Sequence, residues 1–289
     1  MAAPSPAAAA LTPNARVALV TGANPGIGRV TAVELALQGW HVFLACRDAG
    51  KTDEVLREIA ERSGGTARAE FIALDLGDLA SVRRCAQAFI ARDLPLHLLV
   101  NNAGLAGRKG FTQSGFELAF GVCHVGHFLL TQLLLDRLKQ AAPSRVVVVA
   151  SRAHRHARGI DFDAVRQPSR SAGGLMDYSV AKLANILFAA ELGRRLAGTG
   201  VTTYTLHPGV VATGIWRVLP RPLDALVKLF MIDSEEGAKT TLYCATSDAV
   251  AQQTGLYYVK SAVARPTPVA QDAALAQALW TASEGWVQG

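Results

Sequence analysis

The sequence predicts a doubly wound α/β fold, in which about seven mainly parallel strands form one sheet with helices on both faces. Two observations support this prediction. Short β-branched runs alternate along the chain with longer segments of helical periodicity. The first such run, residues 16–20, leads into a glycine-rich turn and then into a helical pattern over residues 29–37. Because a strand, a glycine turn and a helix in this order begin dinucleotide-binding units, we expect a Rossmann-type sheet.

The composition indicates one folded domain. The chain has 289 residues, of which 50% are hydrophobic and 18% charged, and this is enough for one large core. We predict an Ala/Pro-rich disordered tail over residues 1–14 and a single domain over residues 15–289. The tail lacks the basic start and apolar run of a secretion signal, and no stretch reaches ~20 uninterrupted apolar residues. We therefore expect a cytoplasmic protein with no transmembrane segment.

Charge and cysteine content limit the classes of partner. The net charge is +6, but Lys and Arg are scattered without a basic run or an aromatic platform, so we expect no nucleic-acid partner. An anionic cofactor matches this charge better. The four cysteines lie far apart, at Cys46, Cys85, Cys123 and Cys244. Without a CxxC pair or a His-Cys ligand spacing, we expect reduced thiols and no metal site.

The glycine-rich turn is the first candidate cofactor site. Glycine lets the backbone turn sharply and approach a ligand, while the free amides at the start of the next helix attract phosphate. A glycine-rich turn alone is often only a turn, but its place in a strand-turn-helix-strand unit favours a dinucleotide. The candidate contacts are Thr21, Gly22, Asn24, Gly26, Ile27, Gly28 and Arg29.

The end of the second strand predicts which dinucleotide binds. Residues 41–46 form this strand, and it ends at Cys46, where such folds usually carry an acidic residue for the ribose hydroxyls. Arg47 follows, so Arg47 and Arg29 are expected to converge on a 2′-phosphate. NADP(H) is therefore predicted in preference to NAD(H). In the alternative, Arg47 lies in a solvated loop in which Asp48 caps the next helix.

Two further strand ends supply candidate contacts. Residues 69–74 lead to Asp75 and Leu76; Asp75 either accepts from an adenine amino group or caps the helix that starts near Leu79. Residues 96–100 form a fourth strand, which is followed by Asn102, Ala103 and Gly104. Small and amide residues at a strand's carboxyl end let a cofactor lie close to the sheet.

Tyr178 and Lys182 are the candidate catalytic pair. Residues four apart on a helix are neighbours, so the Lys182 ammonium can favour the Tyr178 phenolate. A free Tyr titrates near ~10, and a lowered pKa would let it exchange protons with a carbonyl or an alcohol. Ser151 ends the β-forming run of residues 145–150. The alternatives are a half-buried Tyr beside a solvated Lys and a Ser that only satisfies backbone groups at a strand end.

In this order, these motifs make the chain resemble the short-chain dehydrogenase/reductase superfamily over residues 16–280. The motifs at residues 45–48, 126–130, 182–185 and 207–209 resemble its retinol-dehydrogenase-like branch. The resemblance implies that Tyr178 is the acid/base, that Lys182 lowers its pKa and holds the ribose, and that Ser151 orients the substrate oxygen. It also implies nicotinamide contacts from the turn after the sixth strand, at Pro208, Gly209, Val211 and Thr213.

The implied function is reversible hydride transfer between NADP(H) and a carbonyl/alcohol pair. Residues 214–232 are apolar and interrupted by prolines, which we interpret as a lid over a lipophilic substrate such as a retinoid, steroid or fatty aldehyde. A core helix pair and a membrane-surface helix are the alternatives. The charged loop of residues 152–174 either borders the substrate or is merely solvated. The resemblance further implies a homodimer or homotetramer that pairs through the long helices.

One position departs from the family pattern. Cys123 stands where the family carries an Asn that helps to hold a water in the proton path to the Lys. A thiol is a poor hydrogen-bond donor and acceptor, which puts this path in doubt. His124 points about a quarter-turn away, so we assign it no catalytic role. The rival hypothesis is a catalytically impaired NADP(H)-binding sensor or scaffold protein.

Overall fold

The computed structural model describes residues 16–169, 171–209 and 233–288. Several sequence predictions lie outside these ranges. They are the disordered tail at residues 1–14, the substrate lid at residues 214–232, and the nicotinamide contacts Val211 and Thr213.

A single sheet organises the described part of the chain. Its strands are β1 (Val17–Thr21), β2 (His41–Cys46), β3 (Arg68–Ala73), β4 (Leu98–Asn101), β5 (Ser144–Val149), β6 (Val201–His207), β7 (Leu256–Val259) and β8 (Ala262–Val263). The spatial order is β3-β2-β1-β4-β5-β6-β7-β8. The pairs from β3 to β7 are parallel, and β8 returns antiparallel to β7. The predicted doubly wound, mainly parallel fold is confirmed, with β8 as a short additional edge strand.

Helices connect the strands and cover both faces of the sheet. They are α1 (Gly26–Leu37), α2 (Ala49–Arg62), α3 (Leu79–Ile90), α4 (Leu118–Phe120), α5 (Gly126–Gln140), α6 (Leu175–Arg195), α7 (Ser234–Thr246) and α8 (Ala273–Val287). Asp48 caps α2 by accepting from the Lys51 amide, as the solvated-loop alternative expected. Asp78, and not Asp75, caps α3. The capping alternative for Asp75 was therefore wrong, because its Oδ1 accepts from the Gly77 amide within the preceding turn.

The first strand, β1, is a continuous apolar run up to Thr21 because both faces of the sheet are buried there. In β1, Val17 and Leu19 belong to the core on the side of α3, α5 and α6. Ala18 and Val20 alternate with them and belong to the core on the side of α1, α2 and α7. Successive strand residues point to opposite faces, so a central parallel strand appears in sequence as a continuous apolar run.

The C-terminal helix α8 packs across α5 and α6. The Trp280 ring of α8 lies 5.1 Å from Phe128 of α5 and 6.0 Å from Phe188 of α6, centroid to centroid. Among the described residues, one helical stretch, Leu118–Gln140, is long and apolar enough to cross a membrane, but 72% of its most apolar window is buried inside the fold. Its apolar character is therefore accounted for by core packing.

The strand order reverses between β1 and β4. Chain order runs outward from β1 through β2 to β3 on one side, and from β4 onward on the other. In open parallel sheets, ligands bind outside the carboxyl ends of the strands at this switch point. β1 ends at Thr21 and β4 at Asn101, so the residues that follow them border the expected crevice.

Candidate active site

The glycine-rich turn packs closely against the end of β4. Gly22 has φ +64°, a left-handed conformation that L side chains rarely adopt. A Cβ added to Gly28 would lie 2.2 Å from the Gly22 carbonyl oxygen and 2.4 Å from Asn102 Nδ2. A side chain at position 28 would therefore push the turn away from β4, which explains why this place needs glycine.

Thr21 connects the two strand ends at the switch point. Its Oγ1 accepts from the amides of Asn102, at 2.9 Å, and Ala103, at 3.0 Å. The Asn102 side-chain amide donates in turn to the Thr21 carbonyl oxygen, at 2.9 Å. These bonds hold the predicted contacts after β1 and β4 together as one unit.

The first turn of α1 is not capped in the way that the first turns of α2 and α3 are. Its N-cap residue is Pro25, and none of the side chains that the structure describes caps the first-turn amides, whereas α2 and α3 are capped by Asp48 and Asp78. Uncapped amides at a helix N-terminus can accept a phosphate group. Asn24 and Gly26 are partly buried in this turn, while Ile27 is buried and packs against Ala238.

The two predicted phosphate-binding arginines have different surroundings. Arg29 on α1 donates from Nε to Glu58 Oε2 at 2.7 Å and is about half exposed. Arg47 is exposed directly after β2. The structure therefore brings Arg29 together with a carboxylate of α2 and leaves Arg47 exposed at this edge.

The other predicted cofactor residues lie at neighbouring strand ends. Asp75 and Leu76 follow β3, and Leu76 packs against Gly126, where an added Cβ would lie 2.4 Å from the Leu76 carbonyl oxygen. Pro208 and Gly209 follow β6 and are partly exposed. These residues share the carboxyl-end edge of the sheet with the glycine turn.

Ser151, Tyr178 and Lys182 come together beyond the end of β5. Lys182 is buried, and its Nζ lies 5.5 Å from the centre of the Tyr178 ring. Nζ donates to the carbonyl oxygen of Val149, the last residue of β5, at 2.8 Å. Ser151 begins a short 3-10 helix, and its Oγ accepts from the Ala153 amide at 3.2 Å. Since this contact uses an oxygen lone pair, the Ser151 hydroxyl can still donate its proton.

Burial controls the ionisation of this pair. Desolvation raises the pKa of Tyr178 well above its ordinary value, and a side-chain hydrogen bond with Ser151 only partly offsets this. Desolvation also lowers the pKa of Lys182. The phenol is therefore protonated at neutral pH, which is the form that can donate a proton.

Cys123 faces the same pocket, on a distorted helical turn. Residues Gly121–Val125 form a π-helical turn before α5, in which the Gly126 amide donates to the Gly121 carbonyl oxygen. A Cβ added to Gly104 would lie 3.3 Å from Lys182 Nζ and 3.4 Å from Cys123 Sγ. Only a residue without a side chain at position 104 leaves this space beside Lys182 open to a ligand.

His124 lies away from the catalytic group, as predicted. Its Nε2 makes a 2.9 Å hydrogen bond with Ser283 Oγ of α8, and its ring packs between Phe120 and Phe188. Burial lowers its pKa to about 3. It is a core histidine that joins the π-helical turn to α8.

Sequence reasoning missed three residues that support the site. His127 contacts Thr21 Oγ1 through Nε2 at 2.8 Å, and His154 Nδ1 contacts the Ser151 carbonyl oxygen at 2.6 Å. Asn185 donates from Nδ2 to the Val149 carbonyl oxygen at 3.2 Å. His127 and Asn185 lie in motifs that carried the family resemblance, so a signal was present, but the sequence did not reveal their partners.

The charged loop after β5 lines a groove beside α6. Arg155, Arg158 and Ile160 of the loop, together with Met176 and Val180 of α6, border a cavity of about 830 Å³. The α6 residues lie on either side of Tyr178 in the sequence. Within the described ranges, no group of three or more His, Cys, Asp or Glu side chains has a geometry suited to a metal ion.

The chain is similar to known proteins along most of its length. A family model described as short chain dehydrogenase matches residues 16–223. Human retinol dehydrogenase 11 is 42% identical over 271 residues, covering 93% of the chain and 84% of that protein. Human dehydrogenase/reductase SDR family member 13 is 43% identical over 278 residues, covering 93% of the chain and 72% of that protein.

A solved structure has the same fold at a similar level of identity. An uncharacterized protein from Mycobacterium paratuberculosis superimposes with a TM-score of 0.75 and 35% sequence identity. The match covers 94% of this chain and 93% of that one. The likeness therefore extends beyond the glycine turn to nearly the whole sheet and its helices.

Proposed function

The chain belongs to the short-chain dehydrogenase family, and from this premise we propose that it interconverts a carbonyl and an alcohol with NADP(H). The observation that carries the proposal is the convergence of Ser151, Tyr178 and Lys182 beyond β5, beside the switch point of the sheet. The cofactor, when bound, supplies or accepts the hydride. The protein's own residues bind both molecules and move the proton.

The residues of the switch point suit a dinucleotide. The uncapped first turn of α1 offers amides to a phosphate, and Gly104 leaves open the space beside Lys182 that a Cβ would fill. The preference for NADP(H) over NAD(H) rests on Cys46 and Arg47 at the end of β2. Cys46 is buried and carries no carboxylate to repel a 2′-phosphate, and the adjacent Arg47 guanidinium is accessible to bind one.

Tyr178 acts as the acid when a carbonyl is reduced. A tyrosine phenol is protonated at neutral pH, and desolvation raises the pKa of Tyr178 further, so it donates to the substrate oxygen as that oxygen gains negative charge. The Ser151 hydroxyl, whose oxygen is held by the Ala153 amide, donates a second hydrogen bond to the same oxygen. Lys182, anchored on Val149, stabilises the phenolate that remains.

The substrate proposed for this site is lipophilic. The chain is similar to proteins named retinol dehydrogenases, and residues 214–232 are apolar. We therefore include retinoids, steroids and fatty aldehydes in the substrate class, with residues 214–232 as the lid. The charged loop at Arg155 and Arg158 borders the groove beside α6 and provides a polar rim for such a substrate.

The test is NADPH oxidation against a panel of aldehydes and ketones, with NADPH binding measured separately by fluorescence. Tyr178→Phe removes the acid but keeps the ring, so turnover should fall by at least ~100-fold while NADPH affinity stays within a few-fold. Tyr243→Phe, on α7, is the matched control and should retain full activity. Retained turnover in Tyr178→Phe would contradict the mechanism. Tight NADPH binding without turnover on any substrate would favour the sensor hypothesis.

A further inference from the structure

Lys182 must exchange protons with solvent although it is buried, and Cys123 is poorly suited to help it. The Lys182 side chain is only 2% exposed. The Cys123 thiol beside it is a weak donor and a weak acceptor. The Cys123 carbonyl oxygen is also engaged, because His127 Nδ1 lies 2.9 Å from it.

The hydrogen-bond pattern fixes the tautomer of His127. Thr21 Oγ1 accepts from two backbone amides, which occupy both of its lone pairs. For its own proton, His127 Nε2 at 2.8 Å is a closer acceptor than the Val100 carbonyl oxygen at 3.3 Å, and His127 carries its proton on Nδ1. That proton is donated to the Cys123 carbonyl oxygen. Burial lowers the pKa of His127 to about 4, so this arrangement is stable at neutral pH.

Asn185 binds the same backbone group that anchors Lys182. Its Nδ2 and the Lys182 Nζ donate to the same carbonyl oxygen, that of Val149, at 3.2 Å and 2.8 Å. The two side chains are therefore within a few ångström of each other. Both lie on α6, one turn apart, and both are oriented towards the end of β5.

The buried carbonyl oxygen of the Asn185 side chain lacks a partner. Asn185 is 1% exposed, and its Oδ1 is buried without a hydrogen-bond partner among the described residues. Because an unsatisfied buried acceptor is costly, such atoms in native proteins are usually paired with protein or ordered water. Two of the three N–H groups of Lys182 are likewise not needed for Val149.

We propose that Asn185 is a positioning residue of the proton path, with Oδ1 ordering a water molecule that also binds Lys182 Nζ. The proposal rests on the proposed function. After Tyr178 gives its proton to the substrate oxygen, Lys182 passes a proton to the phenolate and regains one from this water, which is itself resupplied from solvent. The protein gains no net proton, and Asn185 performs the task for which Cys123 is unsuited.

The test combines a substitution that should lower kcat with a second one that should partly restore it. Asn185→Leu keeps the volume but removes both polar atoms, so kcat should fall by ~10- to 100-fold and its solvent isotope effect should rise, while NADPH affinity stays within a few-fold. Cys123→Asn in the same chain should recover part of the lost kcat, because an amide near Lys182 is restored. Ser179→Ala, a buried change on the same helix whose hydroxyl donates to the Leu175 carbonyl oxygen, is the control and should leave kcat and the isotope effect unchanged.

A crystal structure supplies a readout that does not depend on turnover. The wild type should show a water within hydrogen-bonding distance of both Asn185 Oδ1 and Lys182 Nζ, and Asn185→Leu should lack it. If the wild type shows this water but turns over no substrate, the proposed function fails and the proton path fails with it, whereas the placement of the water by Asn185 stands. A wild-type structure without the water would overturn the proposal. So would a fall in kcat in Asn185→Leu that Cys123→Asn does not rescue and that is accompanied by an equal loss of NADPH affinity.

Discussion

Burial sets the ionisation of the individual catalytic side chains. Desolvation opposes the charged form of each group, so it raises the pKa of Tyr178 and lowers that of Lys182. The sequence suggested that Lys182 lowers the pKa of the phenol. In the structure the larger effect is burial, which has the opposite direction. The site is therefore set to give a proton in the absence of bound ligand.

Arg47 should determine which cofactor is preferred. Replacing its guanidinium by a carboxylate in Arg47→Asp repels a 2′-phosphate and offers an acceptor to a ribose hydroxyl. We expect a loss of about 1.5–3 kcal/mol in NADP binding relative to NAD, measured as the ratio of dissociation constants. Arg57→Asp, an exposed change on α2, should leave the ratio unchanged. If Arg47→Asp keeps the wild-type ratio, Arg47 is only a solvated loop residue.

His154 should position Ser151. The ring is fully buried, contacts the Ser151 carbonyl oxygen through Nδ1, and lies 5.4 Å from the Tyr257 ring. His154→Phe keeps the ring contact but loses the hydrogen bond, so kcat should fall by ~10-fold with little change in NADPH affinity. His154→Asn retains a donor and should restore part of the activity.

An exposed residue of the loop provides the control for this prediction. Gln167→Phe lies further along the same loop, where the side chain is exposed and outside the residues that line the groove beside α6, and should leave kcat unchanged. Steady-state kinetics and thermal unfolding of all three variants distinguish a positioning role of His154 from a purely structural one. If His154→Phe loses stability and NADPH affinity in proportion to kcat, and Asn gives no recovery, the role is structural rather than positional.

At the scale of elements, the first strand, its turn and α1 form one closely packed unit. Gly28→Ala places a Cβ within 2.4 Å of Asn102 Nδ2 and within 2.2 Å of the Gly22 carbonyl oxygen. Since both contacts are too short for any side chain, the turn must shift away from β4. We expect NADPH affinity to fall at least ~10-fold and stability to fall by about 1–3 kcal/mol, as measured by fluorescence titration and chemical unfolding.

Gly285→Ala on α8 is the matched control for the substitution in α1. A Cβ at position 285 would meet no atom within 4 Å, and Ala favours a helix by about 0.8–1.0 kcal/mol over Gly. This variant should therefore be neutral or slightly stabilised, with unchanged NADPH affinity. Equal effects of the two substitutions would contradict the packing argument.

At the scale of the whole molecule, α8 closes the core over α5 and α6. Trp280 covers Phe128 and Phe188, and the Arg195 guanidinium of α6 lies 4.3 Å from the Trp280 ring centre. The family resemblance predicted pairing through the long helices. The homodimer or homotetramer remains a prediction. Because α8 occupies these parts of α5 and α6, such an assembly would have to use other parts of their surfaces.

Buried histidines should make the molecule sensitive to acid. Burial lowers the pKa of His124 to about 3 and that of His127 to about 4. An unfolded His takes up a proton near ~6.5, so between these values the unfolded state binds more protons and stability falls as the pH decreases. Each His should cost about 2 kcal/mol between pH 7 and pH 5.

Chemical unfolding at pH 7 and pH 5 measures this loss directly. His124→Phe suits the surrounding aromatic rings and removes one titrating group, so the decrease in stability between the two pH values should become smaller. His156→Asn replaces an exposed histidine and should leave the decrease unchanged. An unaltered decrease in His124→Phe would show that other groups control the acid sensitivity.

The sequence alone determined the features that depend on local periodicity and spacing. Continuous apolar runs marked the central strands, with β2 at residues 41–46 as predicted, because a strand buried on both faces carries no polar side. Spacing along a helix placed Lys182 beside Tyr178. Glycine positions marked the turn after β1, since few other residues accept its backbone conformation.

Only the tertiary structure decided which distant residues meet. Thr21 and His127 are 106 positions apart, and Asn185 reaches Val149 across 36 positions; both contacts exist because the strand order brings β1, β4 and β5 side by side. The capping alternative for Asp75 was also wrong. Asp75 and Asp78 both precede α3, and only the geometry of the turn decides that Asp78 caps it. Burial, which sets the pKa of Tyr178, likewise depends on the elements packed around it, and no local pattern encodes it.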